Sequence, residues 1–275
     1  MPELPEVETI VRDLRPDLGG RAILAAEVYW PRAVATSTVE AFQRRIAGQR
    51  VEAVGRRGKY VTLRLSGGDW LLIHLKMTGH LQVMPENAPA EPYVRAVFRL
   101  GGGCQLRFHD QRKFGRLHLT GDPKGVLGDL GPEPLADDFD LETFAALLRR
   151  RRGRLKPLLL NQRFIAGLGN IYADEALFAA GLHPERSADS LDDDEVAALY
   201  SAVRRVLCQG VENRGTTLSD GGYRDAKGEA GGNQAYVRVY GRTGEPCVQC
   251  GTPIQRIVLG GRSAHFCPGC QPCPP

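Results

Sequence analysis

The sequence lacks the features that would place the protein in a membrane, outside the cell or among disordered chains. None of its apolar runs approaches the roughly 20 residues that a bilayer span requires. The acidic start, residues 1–6, lacks the basic region of a signal peptide. Only Cys104 and Cys208 lie outside the last 29 residues, so a disulfide framework is not expected in a chain of 275 residues. We therefore expect a cytoplasmic protein with no membrane contact.

What is present indicates an α+β protein. Short alternating apolar and polar stretches with glycine-rich turns run from Val51 to about Leu119, which predicts an antiparallel β-sandwich. Ahead of it, apolar residues at helical spacing predict an opening helix over residues 4–14, with Pro16 near its end. The second half reads as helical up to the cysteine-rich end, with helices expected over residues 144–148, 171–180 and 195–211.

These textures divide the chain into four parts. We predict a β-sandwich domain over residues 1–120 and a Gly-, Pro- and Asp-rich linker over residues 121–139. A helical domain is expected over residues 140–240, with a glycine-rich loop at 216–236, and a ribbon over residues 241–275.

The end of the chain carries a metal-binding pattern. The spacing C-x2-C, sixteen residues, C-x2-C is that of a four-thiolate zinc ribbon. Residues 254–266 between the pairs alternate around Gly260 and Gly261, which predicts a β-hairpin with Arg262 at its exposed tip. Such a centre is structural because protein ligands fill all four positions. The predicted ligands of one Zn²⁺ ion are Cys247, Cys250, Cys267 and Cys270.

Charge gives a weaker indication. The net charge of +4 favours a polyanionic partner only slightly. A basic run suits phosphate groups if it forms a stripe on one helix, but it equally fits a solvated helix face. The run consists of Arg149, Arg150, Arg151, Arg152, Arg154, Lys156 and Arg163.

The first residues allow amine chemistry. Proline at position 2 is small enough for Met1 to be removed by ordinary processing, which leaves a secondary amine at the terminus. An α-amino group has a pKa near 7.7–8.0 and is partly neutral at pH 7. Glu3 and Glu6 lie within one turn of it and are placed to relay protons or to hold an iminium cation. The same residues also suit a plain helix start, with carboxylates at the positive end of the dipole.

Several motifs in order resemble the bacterial formamidopyrimidine-DNA glycosylases of the Fpg/Nei family. The first is the N-terminal string Met1-Pro2-Glu3-Leu4-Pro5-Glu6-Val7-Glu8-Thr9. The others are Arg57-Gly58-Lys59-Tyr60, His74-Leu75-Lys76-Met77-Thr78-Gly79, Asp110-Gln111-Arg112-Lys113-Phe114-Gly115, Leu130-Gly131-Pro132-Glu133-Pro134-Leu135, Gly167-Leu168-Gly169-Asn170-Ile171-Tyr172 and the cysteine ribbon. The resemblance runs the whole length of the chain.

The resemblance implies a bifunctional DNA glycosylase and AP lyase. Pro2 is the implied nucleophile at the anomeric carbon of the damaged nucleotide, and Glu3 is the proton donor at the sugar. Lys59 assists β-elimination and contacts a backbone phosphate, whereas Arg262 matches the residue for the δ-elimination. No organic cofactor is implied, because the amine itself forms the Schiff base.

The resemblance also implies binding to damaged duplex DNA, across a cleft between a β-sandwich and a helix-two-turn-helix domain. Met77, Arg112 and Phe114 match the set that fills the space of an extruded base. The loop at 216–236 is expected to cover that base. Further contacts to the DNA backbone are implied for His74, Arg151, Lys156 and Asn170.

The chain departs from the family pattern at two places. Many members carry a histidine pair where this chain has Glu91-Pro92-Tyr93, which leaves that DNA contact in doubt, and the tail from residue 271 exceeds the usual ending.

Two alternative functions also fit the sequence. A pyrimidine-specific relative of the endonuclease VIII type is one alternative, although it generally lacks the Met, Arg and Phe set. A noncatalytic zinc-ribbon DNA-binding protein is the other. We expect a monomer that associates with the nucleoid when bound to DNA.

Overall fold

The computed structural model describes residues 1–218 and 221–273. The chain forms two compact units, one of residues 1–129 with 213–234 and the other of residues 130–212 with 235–275. The structure therefore groups residues 213–234 with the first unit, whereas the sequence pattern groups them with the helices. Positions 219 and 220 of the predicted loop, and 274 and 275 of the tail, lie outside the described residues. Within the described residues, no helix is long and apolar enough to cross a membrane.

The first unit contains two four-stranded antiparallel sheets, which confirms the predicted β-rich half. One sheet has the order β1-β6-β7-β5 and the other β2-β3-β4-β8. Apolar side chains from both sheets share one buried cluster with the opening helix. The strands are β1 (Ile23–Val28), β2 (Val51–Arg57), β3 (Tyr60–Leu65), β4 (Trp70–His74), β5 (Gly79–Pro85), β6 (Val94–Leu100), β7 (Cys104–Asp110) and β8 (Arg116–Thr120).

Among the described residues, the first unit also has three α-helices: α1 (Leu4–Leu18), α2 (Val39–Ile46) and α3 (Lys124–Leu127). The helix α1 begins as predicted but continues through Pro16 to Leu18, which is fully buried. Because a proline in the last turn loses only one backbone hydrogen bond, burial of Leu18 can retain that turn. The short helix α3 lies inside the segment that the sequence predicts as linker.

Among the described residues, the second unit has four α-helices: α4 (Leu141–Leu148), α5 (Leu155–Leu160), α6 (Asn170–Ala179) and α7 (Asp193–Glu212). Three of them lie close to predicted helices, whereas α5 was not predicted. The helix α4 begins at Leu141, before the predicted start at 144, because its N-terminus is capped. The Asp140 carboxyl accepts a hydrogen bond from the Thr143 N–H at 2.8 Å, which fixes the start of α4. Phe144 packs against Phe164 and Tyr200, with ring centroids 6.2 and 5.9 Å away, and these rings form part of the helical core.

The basic run does not form a stripe on one helix. Residues 149–154 follow the end of α4 and precede α5. Neighbouring like charges repel, and this run offers no apolar face to bury, so a helix gains nothing there.

A β-hairpin completes the second unit and confirms the predicted one. Its strands are β9 (Gln255–Leu259) and β10 (Arg262–Phe266), paired antiparallel with Arg262 opposite Leu259. Gly260 and Gly261 form the turn with φ values of 56° and 75°, which glycine adopts without a steric penalty.

Candidate active site and nucleic-acid interface

The start of α1 is buried and closely held. Pro2 is buried and Glu3 is 2% exposed. The carboxyl of Glu6 accepts a hydrogen bond from the Glu3 N–H at 2.8 Å and another from the Thr216 N–H at 2.7 Å. Glu6 thus ties the first turn of α1 to the segment 213–234, in which the sequence predicts the base-covering loop. The sequence pattern had already marked Glu6 as a nearby carboxylate, but it gave no indication of Thr216.

A second anchor holds that segment on the same helix. Arg214 donates to the Asp13 carboxylate at 2.6 Å and also forms an ion pair with Asp225. Asp225 is fully buried, and its other oxygen accepts the backbone N–H groups of Lys227 and Glu229, each at 2.9 Å. Residues 216–218 and 221–234 of the predicted loop therefore belong to the first unit and are held on α1 by side-chain contacts.

Lys59 lies in the turn between β2 and β3, beside the same helix. Arg56, which precedes this turn, donates to the Glu8 carboxylate of α1 at 3.0 Å and to the Gly58 carbonyl at 3.1 Å. Lys59 itself is 7% exposed. Burial alone would raise the pKa of Glu8, but hydrogen bonds from Arg12 and Arg56 outweigh it and lower that pKa. The ion pair therefore persists at neutral pH and fixes the lysine-bearing turn against α1.

His74, at the end of β4, is neutral. Burial lowers the pKa of His74 to about 3, and the ammonium groups of Lys76 and Lys59 contribute to this shift. Its Nδ1 accepts the Lys76 N–H at 3.0 Å, which leaves the proton on Nε2. A phosphate contact through this side chain is then a neutral N–H hydrogen bond.

Asp110 joins the two loops that carry the predicted base-filling residues. It is 1% exposed, and its carboxyl accepts the Thr78 hydroxyl at 2.6 Å and the Gly115 N–H at 2.7 Å. The Thr78 hydroxyl oxygen in turn accepts the Arg112 N–H at 3.1 Å. A Cβ on Gly115 would lie 2.3 Å from the Phe108 ring, so this close approach requires glycine. Asp110 belongs to the family motif at residues 110–115, but its role depends on contacts that the sequence does not display.

The predicted filler residues lie on these loops. Met77 is partly exposed, and Phe114 is 47% exposed. The Arg112 guanidinium lies 5.0 Å from the centroid of the Phe114 ring, within the range of a cation–π contact. Lys113, between them, has φ 62° and places its ammonium 4.5 Å from the Trp30 ring. The structure thus brings an arginine and a phenylalanine together on one exposed loop.

The departure at Glu91-Pro92-Tyr93 has a structural role of its own. The Glu91 carboxylate accepts a hydrogen bond from the buried Arg107 at 2.8 Å and lies 3.4 Å from Nε2 of His109. Glu91 therefore compensates a buried cation, and the DNA contact expected of the histidine pair is not supported here.

In the second unit, Asn170 is the first residue of α6 and Gly169 is its N-cap, so the helix begins one residue earlier than the predicted start at 171. The preceding loop is shaped by Gln162, which accepts the Gly167 N–H at 3.0 Å and donates to the Leu168 carbonyl at 2.8 Å. Among the residues that the structure describes, the buried Oδ1 of Asn170 has no hydrogen-bond partner. Gln162 was missed by the sequence reasoning, since an isolated glutamine in a loop carries no pattern.

Lys156 differs from the expected phosphate contact. Its side chain is fully buried, and its Nζ donates to the Asp174 carboxylate at 2.6 Å and to the Asn170 carbonyl at 2.8 Å. The ammonium group of Lys156 thus bonds to buried groups of the protein itself. Arg151, by contrast, is exposed beyond the end of α4.

The four predicted zinc ligands come together. Their sulfur atoms all lie within 4.8 Å of one another, with Sγ–Sγ distances of 3.4 Å for Cys250–Cys267 and 3.8 Å for Cys247–Cys270. A tetrahedral Zn²⁺ ion with Zn–S bonds of about 2.3 Å places its sulfurs roughly 3.8 Å apart. The thiolate set therefore fits one structural zinc ion, and Arg262 is exposed at the start of β10 in the same hairpin.

Comparisons with known proteins agree with this arrangement. Three family profiles match, described as Formamidopyrimidine-DNA glycosylase N-terminal domain (residues 1–117), Formamidopyrimidine-DNA glycosylase H2TH domain (residues 130–221) and Zinc finger found in FPG and IleRS (residues 244–272). A formamidopyrimidine-DNA glycosylase of Herpetosiphon aurantiacus is 50% identical over 275 residues, covering 98% of this chain and all of that protein.

Solved structures give the same result. The MutM (Fpg) protein of Thermus thermophilus is similar with a TM-score of 0.90 and 44% identity, over the full length of both chains. A variant of Lactococcus lactis Fpg, solved with a Fapy-dG-containing DNA, has a TM-score of 0.91 and 35% identity over 99% of this chain and all of that one. The two units and the four-thiolate centre thus define a DNA-glycosylase fold with a zinc finger. The chain belongs to the formamidopyrimidine-DNA glycosylase family.

Proposed function

We propose that this protein excises oxidised purines, such as 8-oxoguanine and formamidopyrimidines, from duplex DNA and then cuts the strand by β,δ-elimination. The Lactococcus lactis relative has been solved with DNA containing Fapy-dG and with DNA containing an abasic site, which correspond to the substrate and to the state after base loss. One observation carries the proposal for this chain: Asp110 joins the loop of Met77 to the loop of Arg112 and Phe114.

That observation bears on the substrate class because extrusion of a base leaves a hole in the duplex. Unstacking and unpairing a base costs about a few kcal/mol, which inserted side chains offset. Met77 is flexible and apolar and suits the vacancy. Arg112 donates to the Watson–Crick edge of the orphaned cytosine, and Phe114 wedges between base steps. Cytosine is the base expected opposite a damaged guanine.

Pro2 supplies the nucleophile. After removal of Met1, its nitrogen is a secondary amine that bonds to the anomeric carbon as the glycosidic bond breaks and the base leaves with a proton. Glu3 donates a proton at the sugar, so that ring opening yields the Schiff base. The burial of Pro2 and Glu3 supports these roles, because electrostatic interactions strengthen where water is excluded.

Lys59 and Arg262 act in the eliminations. The Schiff base makes loss of the neighbouring carbon-bound proton easier, and that loss expels the first phosphate. A second elimination expels the other phosphate and leaves a one-nucleotide gap with phosphates at both ends. Lys59 assists the first step, and its turn is held to α1 through Arg56 and Glu8. Arg262 assists the second step from the zinc hairpin.

The remaining contacts hold the DNA backbone. His74 donates a neutral hydrogen bond, Arg151 supplies charge, and Asn170 stands at the positive N-terminal end of α6. The enzyme acts as a monomer in the cytoplasm, associated with the nucleoid, and uses zinc only to fold the hairpin, without an organic cofactor.

The substrate class is tested by comparing two duplexes under single-turnover conditions. One contains 8-oxoguanine opposite cytosine and the other thymine glycol opposite adenine. We expect fast excision and strand cutting at 8-oxoguanine and slow reaction at thymine glycol. The reverse preference would favour the endonuclease VIII-type alternative. Binding to both duplexes without cutting either would favour a noncatalytic DNA-binding protein.

A further inference from the structure

A buried charged cluster in the second unit has no role in the chemistry described so far. It consists of Lys156 on α5, Asp174 on α6 and His265 on β10, which are 0%, 1% and 7% exposed. Asp174 lies at its centre. One carboxylate oxygen accepts the Lys156 ammonium at 2.6 Å, and the other accepts the His265 backbone N–H and contacts the His265 ring Nδ1, both at 3.0 Å.

Lys156 and His265 each connect Asp174 to a segment that carries a residue of the proposed DNA interface. Lys156 also donates to the Asn170 carbonyl at 2.8 Å, so it holds the first residue of α6. His265 lies three residues after Arg262 on the same strand, so its contact with Asp174 fixes the position of the hairpin on α6. A single carboxylate therefore connects the phosphate-binding end of α6 with the strand that carries Arg262.

Stability alone does not account for such a cluster. Removing charged groups from water costs several kcal/mol for each ion, and a buried ion pair can often be replaced by apolar residues of similar volume without loss of stability. An ion pair with defined hydrogen-bond directions does, however, fix the geometry of the groups that it joins. Three separate segments, near residues 156, 174 and 265, meet at this one carboxylate.

We propose that Asp174 is a positioning residue that sets Asn170 and the Arg262 hairpin in register within the second unit. This inference rests on the proposed function, because it concerns two residues assigned to DNA binding and to the second elimination. Loss of the carboxylate leaves Lys156 and His265 without their common acceptor. The hairpin then keeps its zinc ion but loses its fixed place on α6, and Arg262 reaches the second phosphate less often.

A neighbouring anchor makes the inference testable without loss of the ribbon. The Glu175 carboxylate accepts the backbone N–H groups of Arg238, Val239 and Tyr240 at 2.8, 2.9 and 2.9 Å. These bonds attach the segment that leads into the zinc centre to α6 independently of Asp174. A variant at Asp174 is therefore expected to retain the metal.

The first test uses Asp174→Asn on 8-oxoguanine duplex, with products separated by their ends. We expect one zinc ion per chain as in the unchanged protein. We also expect a ratio of δ- to β-elimination product that is lowered about ten- to a hundredfold, since a misplacement of about 1 Å can cost about a hundredfold in rate. The control Glu185→Gln removes a partly exposed partner of Arg154 in the same unit and is expected to leave the ratio unchanged. An unchanged ratio in zinc-loaded Asp174→Asn would overturn the inference.

The second test separates positioning from stability. The double variant Lys156→Met with Asp174→Leu replaces the ion pair by apolar residues, and we expect it to melt at a higher temperature than Asp174→Asn, because no buried ammonium is left without its counter-charge. The δ-to-β ratio is nevertheless expected to stay low, because no carboxylate holds His265. A stable double variant with a normal ratio would contradict the positioning role. If the unchanged protein cuts no lesion at all, the proposed function fails instead.

Discussion

The two units organise their candidate site residues around a buried aspartate in different ways. In the first unit, Asp110 accepts neutral donors, a hydroxyl and a backbone N–H, from loops at the ends of adjacent strands. The β5–β7 register already places Gly79 opposite Asp110, so strand pairing largely sets the positions of the loops that Asp110 joins. In the second unit, Asp174 accepts a charged donor and joins segments far apart in the sequence. No strand pairing joins β10 to the helices α5 and α6 in the described residues, so the contacts of Asp174 fix their relative positions.

The largest effect is expected from the metal. The apolar cluster around the centre is small, comprising Phe178, Val239, Cys247, Ile254 and Cys267. Structural zinc contributes about 10–16 kcal/mol to the folding of small ribbons, which so small a cluster does not replace. Cys250→Ser should therefore lose the ion and weaken DNA binding strongly, while the sheets of the first unit remain folded. Zinc content, circular dichroism and DNA affinity check this.

The exposed cysteine at position 208 provides the control for that variant. Cys208→Ser should keep the ion and the affinity. Undiminished affinity in zinc-free Cys250→Ser would show that the hairpin does not face DNA.

The next effect concerns the sheet-based anchor. Asp110→Asn replaces one acceptor oxygen by an amide nitrogen, which leaves a buried donor unsatisfied at a cost of about 1–3 kcal/mol. The loops of Met77 and Arg112 should then separate. We expect excision of 8-oxoguanine to slow more than cleavage at a preformed abasic site, because that site has no base to extrude. Equal slowing on both substrates would argue against a role in base extrusion.

Acid should weaken the first unit through His74. Well above pH 6.5, His74 is neutral in both the folded and the unfolded chain, so it contributes nothing to the pH dependence of stability there. Between 6.5 and about 3, the unfolded chain binds a proton that the folded histidine refuses, so stability falls as the pH falls. This loss amounts to about 1–2 kcal/mol at pH 5. His74→Gln should reduce the difference between the melting temperatures at pH 7 and pH 5, and an unaltered difference would contradict a neutral buried His74.

The smallest effect distinguishes a neutral from a charged DNA contact. Arg151→Gln should lower the slope of log affinity against log salt by about 0.9, since one phosphate contact is lost. His74→Gln should weaken binding without altering the slope, because its contact carries no charge. Cys208→Ser, which changes no charge at an exposed position, serves as the control and should leave the slope unaltered. A reduced slope for His74→Gln would mean that this histidine binds DNA in its charged form.

Local patterns in the sequence predicted much of this structure. The predictions of the start of α1, the antiparallel strands between residues 51 and 119, the glycine-turn hairpin and the four-cysteine cluster were all correct, because each depends on neighbouring residues. Lys156 shows the limit. Its charge suggests an exposed phosphate contact, yet it is buried against Asp174, a partner that only the fold brings close. The roles of Asp110 and Gln162 were missed for the same reason, since they depend on contacts between loops.

The most direct test of the account concerns the nitrogen of Pro2. The processed protein is mixed with an 8-oxoguanine duplex and sodium borohydride, alongside a preparation whose terminal nitrogen is acetylated. Because only a free amine can form the Schiff base, we expect a covalent protein–DNA adduct with the first preparation and neither adduct nor strand cutting with the second. Cutting at an undiminished rate by the acetylated protein would contradict the account.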